Sequence, residues 1–502
     1  MLRSTLTLTC LLAIAACSAP APAEPDLEAL YERAARFHDT PRNPVIVIPG
    51  VLGSRLVDDA TGTLVWGAFT GDFADPDSAE GARFIAHPMD PSGGSVALAD
   101  LHDDVRSDGA LESIEVSVLG LPFSLSAYRG ILRTLGAGGY VDQSLVTGEP
   151  SSLFGDGTLD WGDEHFTCFQ FDYDWRRSIP ENAARLGAFI DARAQEVRAD
   201  RARRFGPAAG LEAVEFDLVA HSLGGLVARW YLRYGADQGQ PVTGAMTAAQ
   251  ATAAAPSVSW AGAPKVSRAI LVAPPNLGSP GALNDLVFGM DLGRFAATYP
   301  PHITGTLPVA YQLLPTAPGA LLDNVTGRMS GTEDGPDVLD PALWRNLGWG
   351  LAGVDDDALA DLLPGVASAA ERRAIALDHQ AKCLNEARRV KAALGAPATP
   401  PEGLELVLFA GDAHPTVRSQ QFLVDGGQLW TRSHAAGDGV VPRASALADL
   451  RPAEANAPDW TPRLVSPIDW ASVVFVFEDH LGLTDSPAFV DNLLFQLLEA
   501  PR

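Results

Sequence analysis

Short, continuous apolar runs alternate along this chain with longer stretches whose apolar residues recur every three or four positions. The first run, Pro44–Ile48, is β-branched and is ended by Pro49 and Gly50, which is typical of a strand buried on both faces. Five further runs predict strands: Phe169–Tyr173, Phe216–Ala220, Ala269–Val272, Leu404–Phe409 and Ser472–Phe477. Strands that alternate with helices in this way predict an α/β fold with a mostly parallel sheet wrapped by helices.

Two helices are marked both by an apolar face and by their ends. Leu223–Tyr234 is followed by Gly235, a common helix stop, and the final helix begins at Ser486-Pro487, with proline at its first position. Their apolar faces are Leu223, Leu226, Val227, Trp230 and Tyr231 in the first, and Phe489, Val490, Leu493, Leu494, Leu497 and Leu498 in the last. Such faces are expected to pack against the sheet.

Two stretches depart from this alternation. Residues 57–125 are rich in Gly, Asp and Ser with scattered aromatic residues, which indicates an insertion rather than core. Residues 281–400 are Ala- and Leu-rich, mostly helical in pattern, and lie between two predicted core strands. The predicted organisation is therefore a first core segment at 40–280, a helical cap at 281–400 and a second core segment at 401–502.

The N-terminus has the features of a targeting segment. Arg3 precedes an apolar stretch, Leu6–Ala16, and the sequence Ile14-Ala15-Ala16-Cys17 is similar to a bacterial lipoprotein box. We therefore expect residues 1–16 to be a signal peptide, Cys17 to be lipidated, and residues 17–39 to form a tether whose first part, Ser18–Pro25, is an extended Pro/Ala stretch. This predicts a lipid-anchored protein of the bacterial cell envelope; the alternative is an ordinary signal peptide cut near Ala16.

The cysteine count adds one open question. Of four cysteines, Cys10 would be removed with the signal peptide and Cys17 acylated, which leaves Cys168 and Cys383. In an oxidising compartment these two either pair or remain as separate buried thiols, and their spacing does not decide between the alternatives.

Composition and charge exclude several classes of protein. The 502 residues include 36 basic and 62 acidic side chains, which gives a net charge of −26 and a pI near 4.6. A chain this acidic would not displace counterions from the phosphates of a nucleic acid, and nucleic acid is therefore not expected as a partner. An anionic membrane would not attract it either, so any lipid contact must be apolar.

Ala220-His221-Ser222-Leu223-Gly224-Gly225 has the pattern of a nucleophile elbow. A predicted strand leads into this segment and a predicted helix leads out of it. The sharp turn would expose the Ser222 hydroxyl, and the small residues Ala220 and Gly224 would let the backbone pass. The alternative, a structural serine in a strand-to-helix connection, has less support because the whole context matches.

A serine nucleophile requires a base and an acid that orients the base. His480 follows the strand that ends at Phe477 and precedes the last helix, which is the place of the base in a Ser–acid–His chain order. Asp438 lies in a glycine-flanked turn and is the preferred acid. Asp412 and Asp425 are the rival acids. His221, adjacent to the nucleophile, is expected to support the turn.

An oxyanion requires two backbone N–H donors. Leu223, directly after the nucleophile, is expected to supply one. Val51, in the loop Pro49-Gly50-Val51-Leu52-Gly53, is expected to supply the other, with Leu52 as its alternative, because the flanking glycines let this backbone approach an anion. A plain Pro-Gly turn is the structural alternative.

Four motifs together resemble the lecithin:cholesterol acyltransferase family, which includes lysosomal phospholipase A2 and phospholipid:diacylglycerol acyltransferase. They occur in the family's order: Ile46–Leu56, Tyr173-Asp-Trp-Arg176, Ala220–Gly225 and Gly437–Pro442. The resemblance implies an α/β-hydrolase core with Ser222, Asp438 and His480 as the triad, and with Val51 and Leu223 at the oxyanion positions. It also implies that the insertion contacts membrane and lid, with Trp66 as an aromatic contact, and that Asp174, Trp175 and Arg176 are structural.

No cofactor or metal is expected. The acidic runs Asp103-Asp104 and Asp355–Asp357 lack the spacing of a calcium loop, and no Cys/His cluster has the spacing of zinc ligands. No phosphate loop or dinucleotide-binding fingerprint is present either. Acidic surface is the simpler interpretation of both runs.

The predicted function is that of a serine-dependent lipid O-acyltransferase or phospholipase. A Ser222 acyl-enzyme would take an acyl chain from a phospholipid donor and pass it to an alcohol acceptor, such as a sterol or diacylglycerol, or to water. One alternative is a lipase or carboxylesterase that uses water only. The other is a catalytically silent binding protein with this fold.

Overall fold

The computed structural model describes residues 26–37, 42–67, 73–92, 96–111, 113–118, 121–126, 128–143, 165–291, 298–423, 426–452 and 460–501. Its strands are β1 (Val45–Ile48), β2 (Ser54–Asp58), β3 (Leu64–Trp66), β4 (Val105–Ala110), β5 (Ser113–Val118), β6 (Leu121–Ser126), β7 (Cys168–Gln170), β8 (Phe216–His221), β9 (Val266–Val272), β10 (Met290–Asp291), β11 (Thr298–Tyr299), β12 (Leu321–Asp323), β13 (Glu405–Gly411), β14 (His414–Phe422), β15 (Leu429–Gly437) and β16 (Ser472–Val476).

The α-helices of the same residues surround these strands. They are α1 (Leu27–Ala35), α2 (Ala79–Ile85), α3 (Arg129–Ala137), α4 (Ile179–Phe205), α5 (Leu223–Tyr234), α6 (Ala248–Ala253), α7 (Pro280–Phe288), α8 (Pro301–Thr304), α9 (Pro308–Gln312), α10 (Pro341–Leu347), α11 (Asp356–Leu362), α12 (Ala369–Gly395), α13 (Arg443–Ala446) and α14 (Pro487–Leu498). No helix within the described ranges is both long and apolar enough to cross a membrane.

A six-stranded sheet in the order β16-β13-β9-β8-β1-β7 forms the centre of the fold, and all of its neighbouring strands are parallel. Successive residues of a strand face two different apolar clusters: Ile46 and Ile48 belong to one, Val45 and Val47 to the other. Helices α4 and α5 complete the first cluster, and α3 and α14 complete the second. The sheet is thus covered by helices on both faces, which confirms the predicted α/β fold.

Most of the predicted strands differ from the observed ones only at their ends, but the prediction Phe169–Tyr173 was wrong over its second half. Strand β7 ends at Gln170, and the chain then leaves the sheet. The amide of Tyr173 donates to Ser54 Oγ at 3.1 Å instead of to a neighbouring strand. The run thus leaves the sheet after Phe171, whose amide still donates to Val47 O at 2.9 Å, and the next partner of its backbone is a side chain more than 100 residues away in sequence.

The early insertion (residues 57–125) contributes to the main core, which corrects its interpretation as a segment outside the core. It contains a small antiparallel sheet, β3-β2-β4, together with α2 and the β5–β6 hairpin. Val65, Ala82 and Ile85 are buried in the first apolar cluster. Since β2 begins at Ser54, the segment also starts before the predicted boundary.

Trp66 was expected to contact membrane, and this expectation was wrong. Its side chain is 2% exposed and packs edge-on against Trp175, with the ring centroids 5.4 Å apart. The indole Nε1 donates to the backbone oxygen of Leu52 at 2.8 Å. Trp66 is therefore a core residue that fixes the loop after β1.

The region predicted as a helical cap, residues 281–400, contains α8 to α12 and most of α7, as well as the short strands β10, β11 and β12. Helix α12 is its longest element, and Lys382 near its middle is buried and paired with Asp378 at 3.0 Å and Asp90 at 3.4 Å. Strand β12 pairs with β14 of the second core segment. The cap region is thus joined to the core by a sheet as well as by side chains.

Both remaining cysteines are free and buried. The Cys168 thiol donates to Asp142 Oδ2 at 3.2 Å, and Cys383 lies in α12 among the buried residues of a third apolar cluster. Of the two alternatives left open by the sequence, the structure therefore has two separate thiols. The predicted signal peptide (1–16) and the lipidation site Cys17 lie outside the described residues. The predicted tether (17–39) is not extended throughout, because Leu27–Ala35 forms helix α1, whose buried Tyr31 donates its hydroxyl to Asp491 of α14 at 2.9 Å.

Candidate active site

Ser222 occupies the turn between β8 and α5 with a backbone φ of 52° and ψ of −123°. A positive φ is unusual for a residue other than glycine and costs about 1–3 kcal/mol. The amide of Ser222 donates to Val272 O of the adjacent strand at 2.7 Å, which helps to fix this conformation. The strand–turn–helix context predicted for a nucleophile elbow is therefore present around Ser222.

The glycines after Ser222 are required by close packing. A Cβ on Gly224 would lie 2.4 Å from Pro49 O and 2.6 Å from Ile48 O, and one on Gly225 would lie 2.9 Å from Pro274 Cβ. A Cβ atom does not approach its neighbours this closely unless the neighbours move. The helix after the nucleophile thus approaches the loop after β1 as closely as a backbone can.

Ser222, His480 and Asp438 form a continuous hydrogen-bonded chain. His480 Nε2 lies 3.0 Å from Ser222 Oγ, and His480 Nδ1 lies 2.8 Å from Asp438 Oδ2. Because a carboxylate only accepts, the ring proton belongs on Nδ1, and Nε2 is left to accept the serine proton. This is the geometry of a general base next to a nucleophile, and the structure brings the three predicted residues together in it.

The turn that carries Asp438 holds its carboxylate from two sides. Oδ1 accepts from the amides of Val440 at 2.9 Å and Val441 at 2.6 Å, while Oδ2 faces His480. Burial by itself would raise the pKa of Asp438, but the nearby His480 and the two amides outweigh burial and lower this pKa. Asp438 is therefore ionised and can orient the imidazole of His480.

The rival acids take no part in this chain. Asp412 Oδ2 accepts from Arg443 Nη1 at 2.8 Å, and the Arg443 guanidinium lies over the ring of Phe475, 3.7 Å from its centroid. Asp425 lies outside the described residues. Of the acids with a described position, Asp438 is the one in contact with His480.

The turn Gly50–Gly53, which is predicted to supply an oxyanion donor and is called the oxyanion turn below, lies directly against Ser222. A Cβ on Gly50 would be 2.9 Å from Ser222 Cβ. The amide of Gly53 donates to Gly50 O at 3.2 Å, and Leu52 has a φ of 64°, a conformation that normally favours glycine. The amides of Val51 and Leu223 have no hydrogen-bond partner among the described residues. Both are free to donate, and their role as oxyanion donors stays a prediction.

The Tyr173–Arg176 segment braces this turn. Tyr173 donates its hydroxyl to Pro49 O at 2.7 Å, and Trp175 Nε1 donates to Ser54 O at 3.2 Å. The buried Arg176 binds both carboxylate oxygens of Asp174, at 3.0 and 2.8 Å, and a carbonyl at the end of α2. These contacts are structural: they join the sheet, the oxyanion turn and the early insertion.

Two further residues connect the parts of the site. His221 Nε2 lies 3.0 Å from His480 O, and His221 Nδ1 lies 3.4 Å from the hydroxyl of Tyr128. The same hydroxyl accepts from the amide of Gly50 at 2.7 Å. His221 was expected to support the turn, but Tyr128 was missed, because nothing in the sequence distinguishes it from other tyrosines.

The loops that carry the acid and the base also carry exposed apolar side chains. Val440, two residues after Asp438, is 49% exposed, and Phe477, three residues before His480, is 75% exposed. Within the described ranges, no group of three or more His, Cys, Asp or Glu side chains is arranged to hold a metal ion. The loop of the base thus exposes both the apolar Phe477 and, directly before His480, the charged Asp479.

No protein-family model matches this chain, and no curated protein matches it. Among solved structures, a chain of the crystal structure of the Tle4-Tli4 complex is similar to it, with a TM-score of 0.49 and 14% sequence identity; the match covers 91% of this chain and 98% of the other. Function must consequently be argued from the site itself.

Proposed function

We propose that this chain is a serine-dependent lipid esterase that takes an acyl chain from a phospholipid and passes it to an alcohol or to water through an acyl-enzyme on Ser222. The observation that carries the proposal is the hydrogen-bonded chain from Ser222 Oγ through His480 to Asp438, at 3.0 and 2.8 Å. It lies at a strained strand-to-helix turn whose following amide is free.

In the first half of the reaction, the Ser222 hydroxyl gives its proton to His480 Nε2 while Oγ attacks the ester carbonyl carbon. The carbonyl oxygen becomes an oxyanion, which would accept from the amides of Val51 and Leu223. Asp438 stabilises the imidazolium of His480. When the intermediate collapses, the C–O bond to the leaving alcohol breaks, and that alcohol takes the proton from His480.

In the second half, an acceptor hydroxyl enters the site. His480 removes its proton, and its oxygen attacks the acyl carbon bound to Ser222. Collapse of the second intermediate returns the proton to Ser222 Oγ and releases the new ester, or the fatty acid if the acceptor was water. Transfer wins over hydrolysis only where the site excludes water from the acyl-enzyme.

Two observations support a lipid as the acyl donor. The ordered motifs resemble those of the lecithin:cholesterol acyltransferase family, and the apolar side chains of Val440 and Phe477 are exposed on the loops that carry the acid and the base. Lipidation at Cys17 would keep the enzyme at its substrate surface. A lipid anchor and an apolar contact suit a chain with a net charge of −26 better than electrostatic binding would.

Labelling with a fluorophosphonate probe tests whether the Ser222 site is catalytic. We expect the full-length wild-type protein to be labelled on Ser222 and the Ser222→Ala protein not to be labelled. Labelling of both would mean that another residue is the nucleophile. If neither is labelled, the chain is a binding protein with a silent site.

The fate of a labelled acyl chain then separates transfer from hydrolysis. The full-length protein is mixed with vesicles of acyl-labelled phosphatidylcholine, with and without a sterol or diacylglycerol, and Ser222→Ala is the control. Label on the added alcohol supports acyl transfer, and label only in free fatty acid supports a phospholipase. If the label stays in the phospholipid while short-chain esters are cleaved, the lipid assignment is wrong.

A further inference from the structure

Tyr128 and His221 connect the two halves of the candidate active site through buried side chains. Tyr128 is the residue before α3, and its hydroxyl accepts from the amide of Gly50 at 2.7 Å. The same hydroxyl lies 3.4 Å from His221 Nδ1, and His221 Nε2 lies 3.0 Å from the backbone oxygen of His480. The path thus runs from the oxyanion turn to the catalytic base.

Only one proton assignment satisfies every member of this path. The backbone oxygen of His480 can only accept, so His221 Nε2 must carry the ring proton. His221 Nδ1 is then an acceptor, and the Tyr128 hydroxyl donates its hydrogen bond to this nitrogen. The oxygen of that hydroxyl keeps a lone pair for the amide of Gly50. Every hydrogen bond therefore points from the oxyanion turn toward the backbone of His480.

The surroundings keep this path neutral and rigid. Tyr128 is 3% and His221 is 2% exposed. Burial, with the nearby His480 adding to it, lowers the pKa of His221 to about 3, so the ring is uncharged at neutral pH. A Cβ on Gly53 would lie 2.7 Å from the Tyr128 hydroxyl, so the turn also packs directly on this ring. Tyr128 therefore contacts the turn by packing as well as by its hydrogen bond to Gly50.

We propose that Tyr128 and His221 are positioning residues that hold the oxyanion turn and the catalytic base in register. This inference rests on the proposed function, because it assigns the two residues a part in acyl transfer at Ser222. Without the hydroxyl of Tyr128, the amide of Gly50 has no partner, and the turn that presents Val51 loses one of the hydrogen bonds that hold it. Without the imidazole of His221, the backbone of His480 loses a donor.

Substitution of Tyr128 by Phe removes one oxygen atom and keeps the ring. Tyr311→Phe is the matched control, because Tyr311 is also fully buried and its hydroxyl donates to a backbone oxygen, that of Gly305, at 2.8 Å. We expect Tyr128→Phe to lower kcat for p-nitrophenyl butyrate, and the rate of fluorophosphonate labelling, by about tenfold or more, since small displacements of catalytic groups have effects of this size. KM should stay within about twofold, because no substrate contact is removed.

Replacement of His221 by Gln or Leu tests the second member. Glutamine retains an N–H at the position of His221 Nε2 and can still donate to the backbone of His480, whereas leucine cannot. We expect His221→Gln to keep most of the labelling rate and His221→Leu to lose about tenfold or more. A merely space-filling role would give the two variants equal rates.

The outcomes separate this inference from the proposed function. If wild type is labelled but Tyr128→Phe and Tyr311→Phe are labelled at the same rate, the positioning role is wrong and the enzyme assignment stands. If wild type itself is not labelled, the proposed function fails first. Should Tyr128→Phe lose its cooperative melting transition, the His221 pair decides: equal rates overturn the inference, and rescue by Gln supports it.

Discussion

At the scale of single residues, the acid illustrates how a side chain acquires its role from its contacts. Asp412 directly follows β13 and Asp438 lies 26 positions later, yet both are close to the end of that strand. A Cβ on Gly411 would lie 2.5 Å from Asp438 Cβ, which places Asp438 directly on the strand end. Asp412 is paired with Arg443 instead. Position along the chain made both residues candidates for the acid of the triad, but only Asp438 contacts His480.

Substitution of each acid by Asn therefore has a different expected result. Asp438→Asn leaves His480 Nδ1 without an ionised acceptor and allows the wrong ring tautomer, so kcat should fall by about 10³–10⁴-fold, the effect of amidating a triad acid. Asp412→Asn breaks a partly exposed ion pair, which contributes at most about 1 kcal/mol to stability, and should leave kcat within about threefold. Steady-state kinetics on a soluble ester measures both. A larger loss in Asp412→Asn would assign the acid to Asp412.

At the scale of secondary-structure elements, the contact of β8 and α5 with the oxyanion turn depends on Gly224. Substitution of Gly224 by Ala would place a methyl group 2.4 Å from Pro49 O, so the helix or the turn must move. We expect a loss of about 1–3 kcal/mol in the free energy of unfolding and a fluorophosphonate labelling rate reduced by more than tenfold.

Gly395→Ala is the control for this substitution. Gly395 is the last residue of α12, and a Cβ there meets nothing within 4 Å. Its stability should be unchanged or slightly higher, because alanine is the better helix former, and labelling should be normal. Urea unfolding and labelling kinetics on the two variants would contradict the packing argument if both behaved alike.

Elements that depend on local pattern were predictable from the sequence, whereas contacts between distant segments were not. The apolar runs and their glycine and proline ends gave the six central strands and α5, because burial on both faces leaves a continuous apolar run. The order Ser222, Asp438, His480 followed from the strands before them. Tyr128 and Trp66 could not be assigned, since the partners of their polar atoms are set by tertiary packing.

The contact between the segment around His87 and helix α12 involves two buried histidines. His87 Nδ1 faces Pro88 O at 3.1 Å and His379 Nε2 faces Thr306 O at 2.8 Å, with the ring centroids 5.9 Å apart. Burial, with His379 and the Arg176 and Arg177 guanidinium groups adding to it, lowers the pKa of His87. Burial, together with Lys382, lowers the pKa of His379 to about 4. Both rings are neutral in the folded protein at neutral pH.

These pKa values predict a loss of stability in acid. Below about pH 6.5 the unfolded chain binds protons on these histidines more readily than the folded chain does, so stability falls as the pH falls, and for His379 the loss levels off near pH 4. At pH 5 His379 costs up to about 2 kcal/mol. His379→Gln, which keeps a donor for Thr306, should flatten the dependence of the unfolding free energy on pH. His414→Gln, the same substitution at an exposed position, is the control.

At the scale of the whole molecule, the site exists only when distant parts of the chain join one sheet. Ser222 follows β8, Asp438 lies next to the end of β13, and His480 follows β16. Strand β9 lies between β8 and β13, and the whole cap region separates them in sequence. Loss of the parallel pairing of β13 with β9 would therefore separate both Asp438 and His480 from Ser222, so the triad depends on the whole sheet.

The net charge of the molecule gives a prediction about its substrate surface. With a formal charge of −26, the protein should be repelled by anionic vesicles and approach zwitterionic ones freely. We expect release of labelled acyl chains to be slower from phosphatidylcholine vesicles that contain phosphatidylglycerol than from phosphatidylcholine alone. Raising the salt concentration from 0.01 to 0.5 M should remove most of this difference, because the screening length falls from about 30 Å to less than about 8 Å.

Cleavage of a soluble short-chain ester, measured in parallel, should not change with vesicle charge. Faster release from anionic vesicles at low salt would show that a local basic or lipid-specific contact, and not apolar contact, brings the enzyme to its substrate.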